Sequence, residues 1–126
     1  MGGELTELKA LDIWRRAIVD SVRLEAPDLS ARQVALLLTV YLDVPPHTVR
    51  GLSKIMKVSK PAITRAVNRL SELGLVRRKV DEDDRRSVLL QRTVKGSVFL
   101  REFGELIVNA ANQGNKVDAA VLPQGY

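Results

Sequence analysis

Between Thr6 and Glu25 apolar side chains recur at helical spacing, at Leu8, Leu11, Trp14, Ile18 and Val22, while Arg15, Arg16, Asp20 and Arg23 occupy other faces. Pro27 is expected to close this helix, because the residue before a proline is pushed away from helical angles. Ser30 is a good N-cap for a second helix, Ala31 to Leu42, which is apolar nearly all round and therefore belongs at a domain centre. Pro45 and Pro46 then force a turn. A short third helix, Val49 to Met56, takes Thr48 as cap and presents Leu52, Ile55 and Met56 on its apolar face. Ser59 caps a fourth helix with Pro61 in its first turn, where a missing N–H costs little. Its buried stripe reads Ile63, Ala66, Val67, Leu70 and Leu73, and Gly74 suits the left-handed residue that ends many helices.

Beyond Gly74 the period changes. Leu75 to Val80 and Ser87 to Thr93 read as two strands around a charged tip, Asp81 to Arg86. Thr93 can cap a last helix through Asn112, although Gly96 and Gly104 lower its intrinsic propensity. There are no internal repeats and no long linker. The expected architecture is mainly α with a small β-hairpin wing (α+β), a winged helix-turn-helix. It forms one domain over residues 1–112, with a lobe at about 30–93, flanking helices at about 6–25 and 93–112, and a mobile tail at 113–126.

Charge sharpens this outline. The chain of 126 residues has a formal net charge of +5, but from Arg50 to Arg92 there are twelve Lys or Arg against five Asp or Glu. The remainder is slightly acidic. Such a basic block in a balanced protein is the footprint of a phosphate-binding face, against the plainer alternative of a solvated helix and hairpin. Cysteine is absent, which removes disulfides and thiolate zinc sites. No apolar run approaches the ~18 residues of a bilayer span, and the N-terminus lacks a signal-peptide pattern, so a cytoplasmic protein without a membrane partner is expected.

Helix four carries the candidate chemistry. With Ile63, Val67, Leu70 and Leu73 turned to the core, Lys60, Pro61, Thr64, Arg65, Asn68 and Arg69 face outward. Arg can bond bidentately to guanine, Asn to adenine, and Thr to base edges or a thymine methyl. Ser59, Lys60 and the free N–H groups of the first turn suit a phosphate. At the hairpin tip Asp84, Arg85 and Arg86 follow three further acids, Asp81, Glu82 and Asp83. Four acids in a row would repel phosphate, but they can hold a tip arginine extended toward a minor groove. Taken alone, the tip also reads as a solvated turn with internal ion pairs.

Three strings then make a recognisable whole: Thr48-Val49-Arg50-Gly51-Leu52-Ser53, Val58-Ser59-Lys60-Pro61-Ala62-Ile63-Thr64-Arg65, and Leu70-Ser71-Glu72-Leu73-Gly74-Leu75-Val76-Arg77-Arg78. With the tip Asp81-Glu82-Asp83-Asp84-Arg85-Arg86-Ser87-Val88, the stretch from about Val49 to Gly96 resembles the MarR family of bacterial transcriptional regulators. The resemblance implies double-stranded DNA as partner, with the helix Ser59 to Leu73 in the major groove. It implies that Arg86 reaches the minor groove, oriented by Asp84, with Arg85 near the backbone. It further implies a homodimer built on the terminal helices and a possible small anionic or aromatic effector. The chain departs from the family in a short final helix, in Gly104 within it, and in Arg92, which stands where an apolar strand residue is usual.

Enzyme chemistry finds no foothold. His47 is the only histidine and follows two prolines, which reads as a turn residue. The run Asp81 to Asp84 lacks the alternating ligands, central Gly and terminal Glu of a calcium loop. No Walker or dinucleotide-binding glycine spacing occurs, and no cofactor is expected. Trp14, Tyr41 and Pro45-Pro46 are candidates to line an effector cavity, although aromatic residues on apolar faces are more often core. The expected function is a sequence-specific regulator, most simply a repressor, on an inverted-repeat operator. The competing readings are a protein-interaction adaptor and a non-specific architectural DNA binder.

Overall fold

The computed structural model describes residues 4–114. The chain divides into two compact units, one of Leu29–Leu100 and one that combines the chain up to Asp28 with residues from Arg101 onward. The elements in order are α1 (Glu7–Arg23), α2 (Ala31–Leu42), α3 (Val49–Met56), α4 (Lys60–Glu72), β1 (Val76–Val80), β2 (Val88–Arg92) and α5 (Val94–Asn112). This is the mainly helical α+β fold expected. All but the first two residues of the expected tail lie outside the described residues.

The Leu29–Leu100 unit holds the larger core. Leu36, Leu37 and Val40 of α2 meet Leu52 of α3, Ile63, Ala66, Val67 and Leu70 of α4, and Leu75, Val76 and Leu90 around the hairpin. Each helix starts at an expected cap: Ser30 forms a full capping box with Gln33, Thr48 accepts from the Gly51 N–H, and Ser59 accepts from the Ala62 N–H. These side chains satisfy N–H groups that the first helical turn leaves without partners. β1 and β2 pair antiparallel in the register Val76–Arg92 through Val80–Val88. A single bridge, Thr48 to Leu89, with the Leu90 N–H donating to the His47 carbonyl, ties the segment before α3 to the hairpin.

That tie changes the reading of His47. It is buried, and its Nε2 lies 3.2 Å from the Asp43 carbonyl oxygen. A carbonyl can only accept, so this nitrogen carries the proton. The same carbonyl accepts from Arg92 Nη2, while Arg92 Nε donates to the Val40 carbonyl at 2.9 Å. The unusual strand arginine thus closes the C-terminal end of α2, where carbonyls lack helical partners and a cation is favoured by the helix dipole.

A second joint gathers α2, the start of the hairpin and α5. The Tyr41 hydroxyl donates to the Leu75 carbonyl at 2.6 Å and accepts from the Thr93 N–H at 2.8 Å. Thr93 Oγ1 donates to the Gly74 carbonyl and accepts from the Gly96 N–H. A Cβ at position 96 would overlap both the Tyr41 hydroxyl and the Leu75 carbonyl oxygen, so Gly96 is there for close approach. Gly104, by contrast, faces open space, and α5 runs through it without a break.

Helix ends differ from expectation in one respect. α1 stops at Arg23, ahead of Pro27, with Glu25 left-handed at φ 59° and the Ala26 N–H returning to the Ser21 carbonyl. α3 ends in the same way, with Lys57 at φ 55° and the Val58 N–H returning to the Ser53 carbonyl. α4 uses glycine for this closure, Gly74 at φ 75°, and Gly114, two residues past the end of α5, is left-handed at φ 76°. The six-to-one hydrogen bond determines the closure, and a charged side chain tolerates the conformation at some cost.

In the other unit, Trp14 packs edge-to-face on Phe103 with ring centroids 5.7 Å apart. Asp12 is buried and paired with Arg15 at 2.6 Å and Arg16 at 3.0 Å, and Arg16 also donates to the Gln113 side chain. The Arg15 hydrogen bond, with Arg16 beside it, holds the Asp12 carboxyl below the ordinary carboxylate range against the opposing effect of burial. Leu11, Trp14, Ile18 and Val22, spaced as one stripe of α1, remain exposed, Trp14 to 46% and Val22 to 69%.

Candidate nucleic-acid interface

α4 splits into two faces as its sequence suggests. Ala62, Ile63, Ala66, Val67 and Leu70 are buried, while Ser59, Lys60, Pro61, Thr64, Arg65, Asn68 and Arg69 are all exposed. The outward set therefore forms a polar ridge over the core, starting at a helix N-terminus with its uncompensated N–H groups.

The wing loop is organised by its own acids. The Asp81 carboxylate accepts from the Asp83 N–H, and Asp84 Oδ1 accepts from the Arg86 N–H at 3.1 Å. The Ser87 N–H returns to the Asp84 carbonyl, and the Asp81 N–H to the Ser87 carbonyl. Asp84 also lies 3.8 Å from Arg86 Nε, while the Arg86 side chain remains 97% exposed. Two of the four acids are thus bound into turn backbone, and the arginine they support projects outward.

α3, α4 and the wing come together at a shallow cleft. Thr48 and Arg50 contribute from the start of α3, Lys60 from the start of α4, and Arg86 and Ser87 from the wing, with no carboxylate in the lining. Three cations and two helix N-termini share this one surface, an arrangement that attracts an anion. Lys60 and Arg86 were candidates from sequence; Arg50 and Thr48 were not, because nothing local marks a residue in a two-turn helix as facing a hairpin some 36 positions on. Arg85 is exposed nearby on the loop and takes no part in this lining.

On β1 the Arg78 guanidinium donates to the Asn68 side-chain oxygen, joining the outer face of α4 to the wing, and Arg77 donates to Gln91 across the hairpin at 3.1 Å. Neither arginine was singled out in the sequence. Of the effector candidates, the Tyr41 hydroxyl is engaged in its joint, and Trp14 packs edge-to-face on Phe103. Among the described residues no group of three metal-binding side chains gathers, and no helix is long and apolar enough to cross a membrane.

A helix-turn-helix with an exposed polar second helix and a β-hairpin wing defines the winged-helix class of DNA-binding transcription regulators. Residues 28–87, just under half of the chain, match the MarR family model. Transcriptional regulator Tm0710 from Thermotoga maritima is 25% identical, with a TM-score of 0.68 over 80% of this chain and 68% of that one. MepR of S. aureus, solved as a DNA complex, has a TM-score of 0.70 at 16% identity over 82% of each chain. A mutant MarR from E. coli, complexed with operator DNA, has a TM-score of 0.63 at 24% identity, over 83% of this chain and 69% of that one.

Proposed function

We propose that this protein is a sequence-specific transcriptional repressor that binds an inverted-repeat operator as a homodimer. The observation that carries the reading is the cleft at which Arg50, Lys60 and Arg86 meet from three elements, flanked by the exposed ridge of α4. If α4 lies in a major groove and the wing in the adjacent minor groove, a phosphate strand must run between them. The cleft is where that strand would pass, which matches its charge. Lys60, Pro61, Thr64 and Arg65, in the first two turns of α4, are then nearest to base edges. Ser59 and Arg69 flank the backbone, and Arg86, steadied by Asp84, reaches the minor groove with Arg85 beside it.

The exposed stripe of α1 supports the dimer. Leu11, Trp14, Ile18 and Val22 form a contiguous apolar face, which a second copy of the same helix can cover by self-complementation. Two-fold symmetry would set half-sites about one turn, ~10 bp, apart. Release by a small effector belongs to the same proposal, without assigned effector residues.

The test is selection of bound fragments from a genomic DNA library at near-physiological salt. Enrichment of a palindromic motif with that spacing is the expected result. Retention without a motif would replace the reading with architectural binding, and no retention would favour the protein-interaction adaptor.

A further inference from the structure

Asn68 looks like an adenine reader by residue type, since its amide offers one donor and one acceptor side by side. Its surroundings assign it another task. Asn68 is the ninth residue of α4, which places it ~12 Å along the axis from the helix start, whereas base edges are met by the N-terminal residues of such a helix. The side chain is also committed, because Arg78 on β1 donates a hydrogen bond to its oxygen. A guanidinium has only donors, so the amide oxygen must face it; one of that oxygen's two lone pairs is occupied, and the oxygen is turned toward β1. The bond spans the turn at Gly74 and links the recognition helix directly to the strand that carries the wing.

We infer that Asn68 and Arg78 form a brace that sets the angle of the wing against α4, and that Asn68 acts as a positioning residue through its oxygen. This deepens the DNA-binding reading and rests on it for its effect on affinity. Wing and helix must enter neighbouring grooves together, so a fixed angle between them lowers the ordering cost of binding. Elsewhere the α4–wing junction is held by core packing of Leu70, Leu75 and Val76 and by backbone hydrogen bonds at the Gly74 turn; among the described residues Asn68–Arg78 is the side-chain hydrogen bond between the exposed face of α4 and β1.

The test uses the full chain with Asn68→Ala, Arg78→Ala, the double variant and Asn68→Asp. Aspartate keeps the acceptor for Arg78 but abolishes the amide donors, so it separates a brace from a base contact. Both alanine variants are expected to bind operator about fivefold more weakly, and the double variant no more weakly than Arg78→Ala alone, as for residues that act as one unit. Asn68→Asp is expected to stay close to the wild type in unfolding while its added negative charge weakens binding to all DNA alike, and all variants are expected to keep the wild-type base preferences. Relaxed preference at one base pair in Asn68→Ala or in Asn68→Asp would overturn the brace in favour of base reading. The same cycle on thermal unfolding without DNA gives a readout independent of the proposed function: coupled losses support the brace, and additive losses overturn it. A wild-type protein that treats operator and scrambled DNA alike would instead sink the sequence-specific reading, with the unfolding cycle still deciding the brace.

Discussion

Two glycines of α5 show how much a residue's meaning depends on its surroundings. Both reduce helix propensity, and from composition alone they are equivalent. Gly96 lies against the Tyr41 hydroxyl and the Leu75 carbonyl, whereas Gly104 has nothing within reach of a Cβ. The same substitution should therefore act with opposite sign. Gly96→Ala is expected to cost about 1–2 kcal/mol, overpacking outweighing the propensity gain, and Gly104→Ala to stabilise by about 0.5–1 kcal/mol. Chemical denaturation of the two variants measures both, and equal signs would contradict the close approach at position 96. Asp12 gives a pH dependence. Its carboxyl is held below the ordinary range by Arg15 and Arg16, so the ion pair contributes stability that is complete above the unfolded carboxylate pKa of about 4. That contribution is lost as pH falls through the lower folded value. Thermal melts should show wild type above Asp12→Asn at neutral pH, with the gap closing in strong acid.

At the level of elements, the proposed complex has α4 reading bases while the cleft shared by α3, α4 and the wing grips phosphate. Arg65, exposed in the second turn of α4, can bond bidentately to guanine, and Arg65→Ala is expected to narrow the gap between operator and scrambled DNA by about 1–3 kcal/mol. Arg50 lines the cleft with Lys60 and Arg86, so Arg50→Ala should weaken binding to every sequence alike. It should also reduce the salt slope by about one counterion. Titrations against both DNAs at several salt concentrations separate the two effects; a loss of specificity in Arg50→Ala would mean that the cleft reads bases rather than phosphate. Element boundaries were legible wherever a cap marked them, as at Ser30, Thr48, Ser59 and Thr93. The end of α1 was not, and α3, which stops at the expected Met56, closes through a left-handed lysine that no local signal marks. Glu25 and Lys57 adopt the left-handed conformation that sequence reading looks for at glycine or asparagine. The return bonds that hold them there, from Ala26 and Val58, come from the chain's onward path.

For the whole molecule, the exposed stripe of α1 is the strongest pointer to assembly. Charging it, as in Leu11→Glu with Ile18→Glu, is expected to leave the Leu29–Leu100 core folded while sedimentation shifts the protein from dimer to monomer. Operator affinity should fall with it, because one half-site no longer recruits the other. A wild-type protein that sediments as a monomer at micromolar concentration would remove the dimer from the proposal.

What the sequence determined by itself was whatever depends on near neighbours. The 3.6-residue period placed the helices, the caps set where they start, and the change of period after Gly74 marked the hairpin. The inside and outside of α4 followed from the same spacing, and with them the exposed ridge from Ser59 to Arg69. Tertiary structure alone decided the partners of groups far apart in the chain. It brought Arg50 to Arg86, turned Arg78 onto Asn68, buried His47 and set Arg92 on the end of α2. The physical reason is that periodicity records which face of an element avoids water. A hydrogen bond or a cluster of charges needs two surfaces brought together by the packing of the core, and no local pattern carries that information.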